Sequence, residues 1–353
     1  MPTTPILSIR SATPDDLPVI MAIFDRAKQF MAQTGNAGQW SPQYPDKGGM
    51  LQDMADGNCY VCMGGGAIQG VFCYIPGAEP TYAKIYDGAW PDDAPYATIH
   101  RLASAGQMPG VAKACFDWCA AQGLPLRADT RDKNTVMQHN LAKADFVPCG
   151  TIYLQNGEPR LAYYRPQTPA EKLLGRVRAL RQAGRERILV GIDGRSGGGK
   201  TTLAAQVQAL TGCPVVHLDD FFLQPAQRTP QRLAEPGGNL DRERVLAEVL
   251  HPLKAGETAV YRKFICHDVM DFGETQVIRP APLTLIEGSY ACHPALVDCY
   301  DLTVFVDVTP GEQRRRILAR NGDAAPMFFD RWIPMEENYF AQYAVQDRCD
   351  LVL

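Results

Sequence analysis

The stretch "GIDGRSGGGKTT", residues 191–202, decides the fold of the second half of the chain. Gly194, Gly199, Lys200 and Thr201 complete the spacing G-x-x-x-x-G-K-[ST]. Glycines let a loop curl so that successive backbone N–H groups converge on one phosphate, and the N-terminus of the following helix adds its positive end. A lysine there reaches the β- and γ-phosphates, and the adjacent hydroxyl serves Mg²⁺. The expected nucleotide-phosphate contacts are Gly194, Ser196, Gly197, Gly198, Gly199, Lys200, Thr201 and Thr202. An apolar strand, "RILVGID", leads into the loop, and a helix carrying Leu203, Val207 and Leu210 leaves it, which a mere glycine-rich turn would not require.

Downstream, strands are expected at Val215–Leu218, Leu283–Glu287 and Leu302–Val306 with helices between them. That alternation predicts a parallel sheet with crossover helices. The strand ending "VVHLDDFF" puts Asp219 and Asp220 at a carboxyl end, on the loop's side of the sheet. A carboxylate placed there can take the proton of a hydroxyl attacking a γ-phosphate, although Asp220 alone would also suit a helix cap. Glu287 ends another strand at the same rim, where it can hold Mg²⁺ through water. Arg316 and Arg320 share one face of the helix in "GEQRRRILARNG" and suit a phosphate clamp; a solvated basic face is the alternative.

A phosphate loop normally follows the first strand of its domain, so a complete unit should precede residue 187. Thr13, Pro14 and Asp16 form a capping-box start for a helix with Leu17, Ile20, Met21, Phe24, Ala27 and Met31 at helical period. Strands are predicted at Cys59–Met63, Ala67–Ile75, Thr98–Ser104 and Leu126–Asp129. Helices are predicted from Gly110 to Gln122 and from Asn134 to Ala144, and a hairpin turns at Asn156-Gly157. A second capping box, Thr168 to Glu171, opens a short basic helix. The expected organisation is a unit over 1–166, a connector over 167–186 and a second unit over 187–353.

At 353 residues the chain is long enough for two cores. A net charge of −4, with both signs interspersed, argues against a general nucleic-acid binder. No leader is legible at the start and no apolar run reaches the roughly 18 residues of a membrane span. The expectation is a cytoplasmic protein acting on small molecules, without nucleic-acid or membrane partners, for which a homo-oligomer stays open. The eleven cysteines, among them Cys59 and Cys62 and the helical pair Cys115 and Cys119, read as buried thiols, since no second pair stands at zinc spacing.

Over about 187–353 the sequence resembles the uridine kinase-like phosphotransferases, through "GRSGGGKTT", "LDDFF", "GGNLD", "VYRKF", "LIEGSY" and "RRRILARNG". The resemblance implies ATP and Mg²⁺ as cofactors and Asp219 as general base beside Lys200. It implies Asp220, Asp241, Tyr261 and His267 at the acceptor, with Asp241 on ribose hydroxyls. It further implies Thr201 and Glu287 for the metal, and Arg316 and Arg320 for phosphates. Where the family places Tyr-Asp-Phe and a histidine five residues after the tyrosine, this chain has Tyr261, Arg262 and Lys263, with His267 six residues on. Transfer to a hydroxyl is expected; uridine is expected to be a poor acceptor.

Roughly residues 5–165 resemble a second family, the GNAT acyl-CoA N-acyltransferases. The likeness centres on Gln107-x-x-Gly110-x-Ala112, supported by the turn from Asp129-Thr130 to Asn134 and by "ADF" before the last hairpin. It implies acetyl-CoA as cosubstrate, held by Gln107, Met108, Gly110, Val111, Ala112 and Asn134, with Leu102, Ala103 and Ser104 at the acyl carbonyl. Many members place a tyrosine acid seven residues after that asparagine; here the position is Leu141. Tyr153 could substitute for it. His100 could act as a base or could be a packed, hydrogen-bonded strand residue. The fold class expected is α/β in two domains: a GNAT-like mixed sheet, then a P-loop NTPase parallel sheet flanked by helices. The leading function is an ATP-dependent kinase of a nucleoside-like or other polyol joined to an acetyl-CoA-dependent N-acetyltransferase. A kinase with an acyl-CoA-sensing front half is the second reading. An NTP-driven switch comes third, because no guanine-reading N-K-x-D follows the loop.

Overall fold

The computed structural model describes residues 7–266 and 270–353. It divides into two compact units, Met1–Gly175 and Arg176–Leu353, and the division falls inside the helix Pro169–Gln182.

In the first unit seven strands form one mixed sheet: β1 (Ser8–Ser11), β2 (Cys59–Gly64), β3 (Ala67–Pro76), β4 (Ala97–Ser104), β5 (Leu126–Thr130), β6 (Val147–Tyr153) and β7 (Pro159–Arg165), in the order β1-β2-β3-β4-β5-β7-β6. Helix α1 (Leu17–Gln33) buries Ile20, Ile23 and Phe24 against one face of the sheet. Thr13 caps the turn before it, its N–H donating to Asp16 at 2.8 Å. Helix α3 (Val111–Ala120) buries Val111, Cys115, Phe116 and Cys119 in a second cluster with Leu126 and Leu141. Helix α2 (Lys47–Ala55) was not legible in a glycine-containing stretch that reads as loop. Asp46 starts it by accepting the Gly49 N–H at 2.9 Å, and Met50 anchors it in the core. Helix α4 (Thr135–Lys143) is capped by Asn134, which accepts the Met137 N–H at 3.2 Å. The Asn156-Gly157 turn joins β6 to β7, with Gly157 at φ +81°.

Two irregularities shape this sheet. Strands β4 and β5 run parallel but pair only at Ala97 with Leu126 and Thr98 with Arg127, then part. On its other edge β4 carries a bulge: Val71 pairs with Ala103 and Cys73 with His100, so Phe72 faces both Arg101 and Leu102. Arg101 takes the left-handed conformation at φ +55°, which costs a non-glycine residue energy.

The second unit is a five-stranded parallel sheet in which Leu351–Val352, Leu302–Val306, Ile188–Gly194, Leu283–Glu287 and Val215–His217 lie side by side in that order. Its strands are β8 (Ile188–Gly194), β9 (Val215–His217), β12 (Leu283–Glu287), β13 (Leu302–Val306) and β14 (Leu351–Val352). Strands β8, β12 and β13 are buried along their whole length, as expected of a sheet covered on both faces. Helix α6 (Lys200–Thr211) follows β8, and a hairpin of β10 (Ala259–Ile265) and β11 (Asp271–Ile278) stands outside the main sheet. No helix of the described residues is long and apolar enough to cross a membrane. All eleven cysteines are free thiols, and Cys59, Cys62, Cys115 and Cys119 are buried, as their apolar settings suggest.

Two candidate ligand sites

Residues 194–199 join β8 to α6 as a tight loop. Gly194 has φ +138°, and a Cβ there would strike the Val306 carbonyl, so only glycine fits. Lys200 folds back over the loop, its ammonium donating to the carbonyls of Gly194 at 2.6 Å and Arg195 at 3.2 Å. Three side chains from late in the chain support the loop. Buried Glu336 accepts from the Ser196 amide at 3.0 Å, the Ser196 hydroxyl at 2.6 Å and the Ser289 hydroxyl at 3.0 Å. Gln313 donates to the Ser196 carbonyl at 3.0 Å. Arg316 donates to the carbonyls of Gly197 and Gly198 at 3.1 and 3.0 Å. Ser196, expected at phosphate, is therefore engaged by Glu336. Arg320 departs from Arg316: one turn further along helix Pro310–Asn321, it bonds Asn321 at 2.9 Å and lies over Phe328.

Carboxylates gather at the strand ends. Glu287 is buried and accepts from Thr201, whose hydroxyl is 3.3 Å from both of its oxygens. His217, which sequence reasoning passed over, places Nδ1 2.5 Å from the same carboxylate and is held more basic than usual by it. Its position at the end of β9, in register with Glu287, was the available signal. Strand β9 stops at His217, so Asp219 and Asp220 lie in a 3₁₀ turn just beyond it. Asp219 is an exposed residue but is crowded by protein. That loss of hydration and the Glu287 charge raise its pKa, against the pull of Lys200. Among the described residues no hydrogen bond engages Asp219, whereas Asp220 accepts from the Tyr261 hydroxyl at 3.3 Å.

Asp241 is buried at 1% exposure and committed locally: it accepts the Arg244 N–H at 3.2 Å and the Gln227 amide at 2.8 Å. A ribose contact there would have to displace the cap. His267 lies outside the described residues. Thr201 and Glu287 offer oxygen donors suited to Mg²⁺, which takes few protein ligands alongside phosphates. No cluster of three or more His, Cys, Asp or Glu able to hold a metal alone occurs among the described residues.

In the first unit the parting of β4 and β5 opens a cavity of about 1150 Å³. Leu102, Ala103, Ser104, Gln107, Val111, Ala112 and Asn134 all line it. Gly110 stands at φ +82° as the N-cap of α3, and neither it nor Met108, which packs near Gly64, lines the cavity. His100 also lines the cavity, with Nε2 3.4 Å from Glu79 and Nδ1 3.9 Å from Asp129. Its contact holds the Glu79 carboxyl down at about 2. Tyr82 donates to Asp129 at 2.7 Å. Tyr153 lines a separate small pocket and packs against Tyr86, and buried Leu141 sits in the cavity wall.

No family model matches the chain. A GNAT-family acetyltransferase from Streptococcus agalactiae is 32% identical, covering 46% of this chain and 96% of that one, with a TM-score of 0.42. A uridine kinase from Chlamydia pneumoniae is 25% identical over 174 residues, which are 43% of this chain and 75% of that protein. A possible uridine kinase of known structure from Bacillus stearothermophilus is 22% identical, covering 52% of this chain and 99% of that one, with a TM-score of 0.39. The first unit is thus similar to GNAT-family acetyltransferases and the second to uridine kinases.

Proposed function

We propose that the protein is bifunctional: an ATP-dependent phosphotransferase acting on a hydroxyl of a nucleoside-like or other polyol, and an acetyl-CoA-dependent N-acetyltransferase. The observation that carries the reading is a glycine-bearing turn leading into a helix in each unit, Gly194–Thr201 before α6 and Gln107–Ala112 before α3, a setting that suits an anion, each with titratable side chains nearby. In the second unit Asp219 acts as the general base. Its freedom from hydrogen bonds and its raised pKa support this role over Asp220, which Tyr261 engages. Mg²⁺, when bound with ATP, neutralises phosphate charge; Thr201 and Glu287 would hold it. In the first unit the backbone at the β4 bulge faces the acyl carbonyl, and His100 takes the proton of the incoming amine. The sensing alternative draws support from Leu141 and from Tyr153 lying outside the cavity.

An ATP-consumption screen over nucleosides, sugars, aminoglycosides and other polyols tests the kinase reading. Turnover that depends on one hydroxylated acceptor and vanishes in Lys200→Ala supports it; hydrolysis indifferent to every acceptor would contradict it. The units 1–166 and 187–353, joined by residues 167–186, are proposed to fold separately, and the protein is proposed to work in the cytoplasm on small molecules.

A further inference from the structure

Strand β9 is three residues long, and its last residue, His217, lies level with Glu287, the last of β12. Residues paired across neighbouring strands share a face of the sheet, so the imidazole meets the carboxylate, with Nδ1 2.5 Å from Oε1. Thr201, in the first turn of α6, brings its hydroxyl to 3.3 Å from both oxygens of the same group. The carboxylate is buried, whereas the His217 side chain is 44% exposed. Val216 and Leu218, its neighbours in the chain, enter the apolar core and His217 does not. Glu287 is its only hydrogen-bond partner among the described residues; Asp220 and Asp219 lie within electrostatic reach of the ring, but neither bonds it. Packing therefore gives no reason for a histidine here; the contact with Glu287 does.

A carboxylate can turn about its last bond, and its two oxygens are equivalent until a neighbour distinguishes them. The Thr201 hydroxyl, equally distant from both, does not. His217 does, because it engages Oε1 alone. A carboxylate that serves a metal ion is ionised and can only accept, so Nδ1 must carry the hydrogen. Hydrogen bonds to a charged acceptor are roughly twice as strong as neutral ones. The contact thus fixes the rotation of Glu287 and leaves its other oxygen to Thr201 and to whatever binds at the strand ends. Metal ligands are commonly held by a partner behind them, often a carboxylate behind a histidine; here the order is reversed.

We infer that His217 is a positioning residue for the metal site of the second unit. Through Nδ1–H it holds the Glu287 carboxylate in the orientation that serves Mg²⁺, and so sets how much the ion adds to ATP binding. The inference rests on the reading above in which Thr201 and Glu287 hold Mg²⁺. His217 need touch neither the ion nor the nucleotide to act in this way.

The test uses the full chain and the β,γ-imido analogue of ATP, with affinity measured by calorimetry in EDTA and in saturating Mg²⁺. The ratio of the two dissociation constants is the gain due to the ion. The parent should show such a gain, and Glu287→Gln should lose most of it. His217→Ala should cut the gain by about tenfold and leave the affinity in EDTA within about twofold. His217→Asn, whose amide N–H takes the place of Nδ1–H, should recover most of the loss. The exposed ring leaves no core cavity, so these variants should fold. A parental gain in His217→Ala, an equal loss with and without the ion, or no recovery in His217→Asn overturns the inference while the Mg²⁺ reading stands. A parent that binds the analogue no better with Mg²⁺, or a Glu287→Gln variant that keeps the full gain, overturns the Mg²⁺ reading and the inference with it.

Discussion

Replacing Asp219 with Asn removes one proton acceptor and little else. The side chain makes no hydrogen bond among the described residues and the residue is exposed, so the amide strands no partner and creates no cavity. Folding stability should hold or rise slightly, because the charge removed is one that lost hydration and Glu287 disfavour. ATP affinity should change little, because on the proposed reading loop amides and Lys200 would make those contacts. Turnover should fall by about 10²–10⁴-fold, the usual worth of a positioned general base, or about 2.7–5.5 kcal/mol of barrier. Coupled ADP release, measured with the best acceptor from the polyol screen, reads the loss. Asp220→Asn keeps an oxygen for the Tyr261 hydroxyl and should cost far less. If Asp219→Asn kept near-parental turnover while Asp220→Asn lost it, the roles would be exchanged; if neither mattered, the site would not be a hydroxyl kinase.

Other outcomes follow from the same contacts. Glu336→Ala orphans three donors at the phosphate loop, two of them on Ser196. These donors are half-buried, so each orphan should cost no more than about 1 kcal/mol; thermal melting should fall by a few degrees and ATP affinity should weaken, and an unchanged melting point and affinity would show the loop needs no such support. Asp219 titrates above an ordinary aspartate and must be ionised to act, so the acid limb of kinase activity should lie above pH 3.8. Glu287→Gln removes a neighbouring negative charge and should shift any surviving limb to lower pH. A limb that stayed put would exclude that coupling. Asp16 beside Arg10 has its carboxyl depressed from 3.8 to about 2, so its contribution is complete above about pH 4 and is lost as pH falls towards 2. Asp16→Asn should flatten that acid loss in a stability-versus-pH series; an unaltered series would show that the pair contributes nothing.

Legibility followed the range of the interaction. The phosphate loop, the capping boxes at Thr13 and Thr168 and the Asn156-Gly157 turn are local, and residue type at short spacing determines them. Helix α2 hid because Gly48 and Gly49 are poor helix formers, and tertiary burial of Met50 overrides that weakness. Glu336 meets Ser196 across 140 residues and Gln39 meets Asn134 across 95, distances at which no periodicity speaks. Arg316 and Arg320 share a helix face in sequence, but only Arg316 reaches the loop's carbonyls. The wall that Trp40 and Tyr44 give the first cavity depends on a fold of residues 37–44 that nothing in their own composition dictates.

Calorimetric titration of one protein with two ligands tests the central claim most directly. The parent chain should bind both ATP and acetyl-CoA. Lys200→Ala should weaken ATP by more than about tenfold and leave acetyl-CoA untouched. Gly110→Glu should do the reverse, since it puts a side chain and a negative charge at the positive-φ start of α3. Failure of the parent to bind either ligand, or loss of both through one substitution in a protein that still melts cooperatively, would contradict a chain with two separate anion cradles.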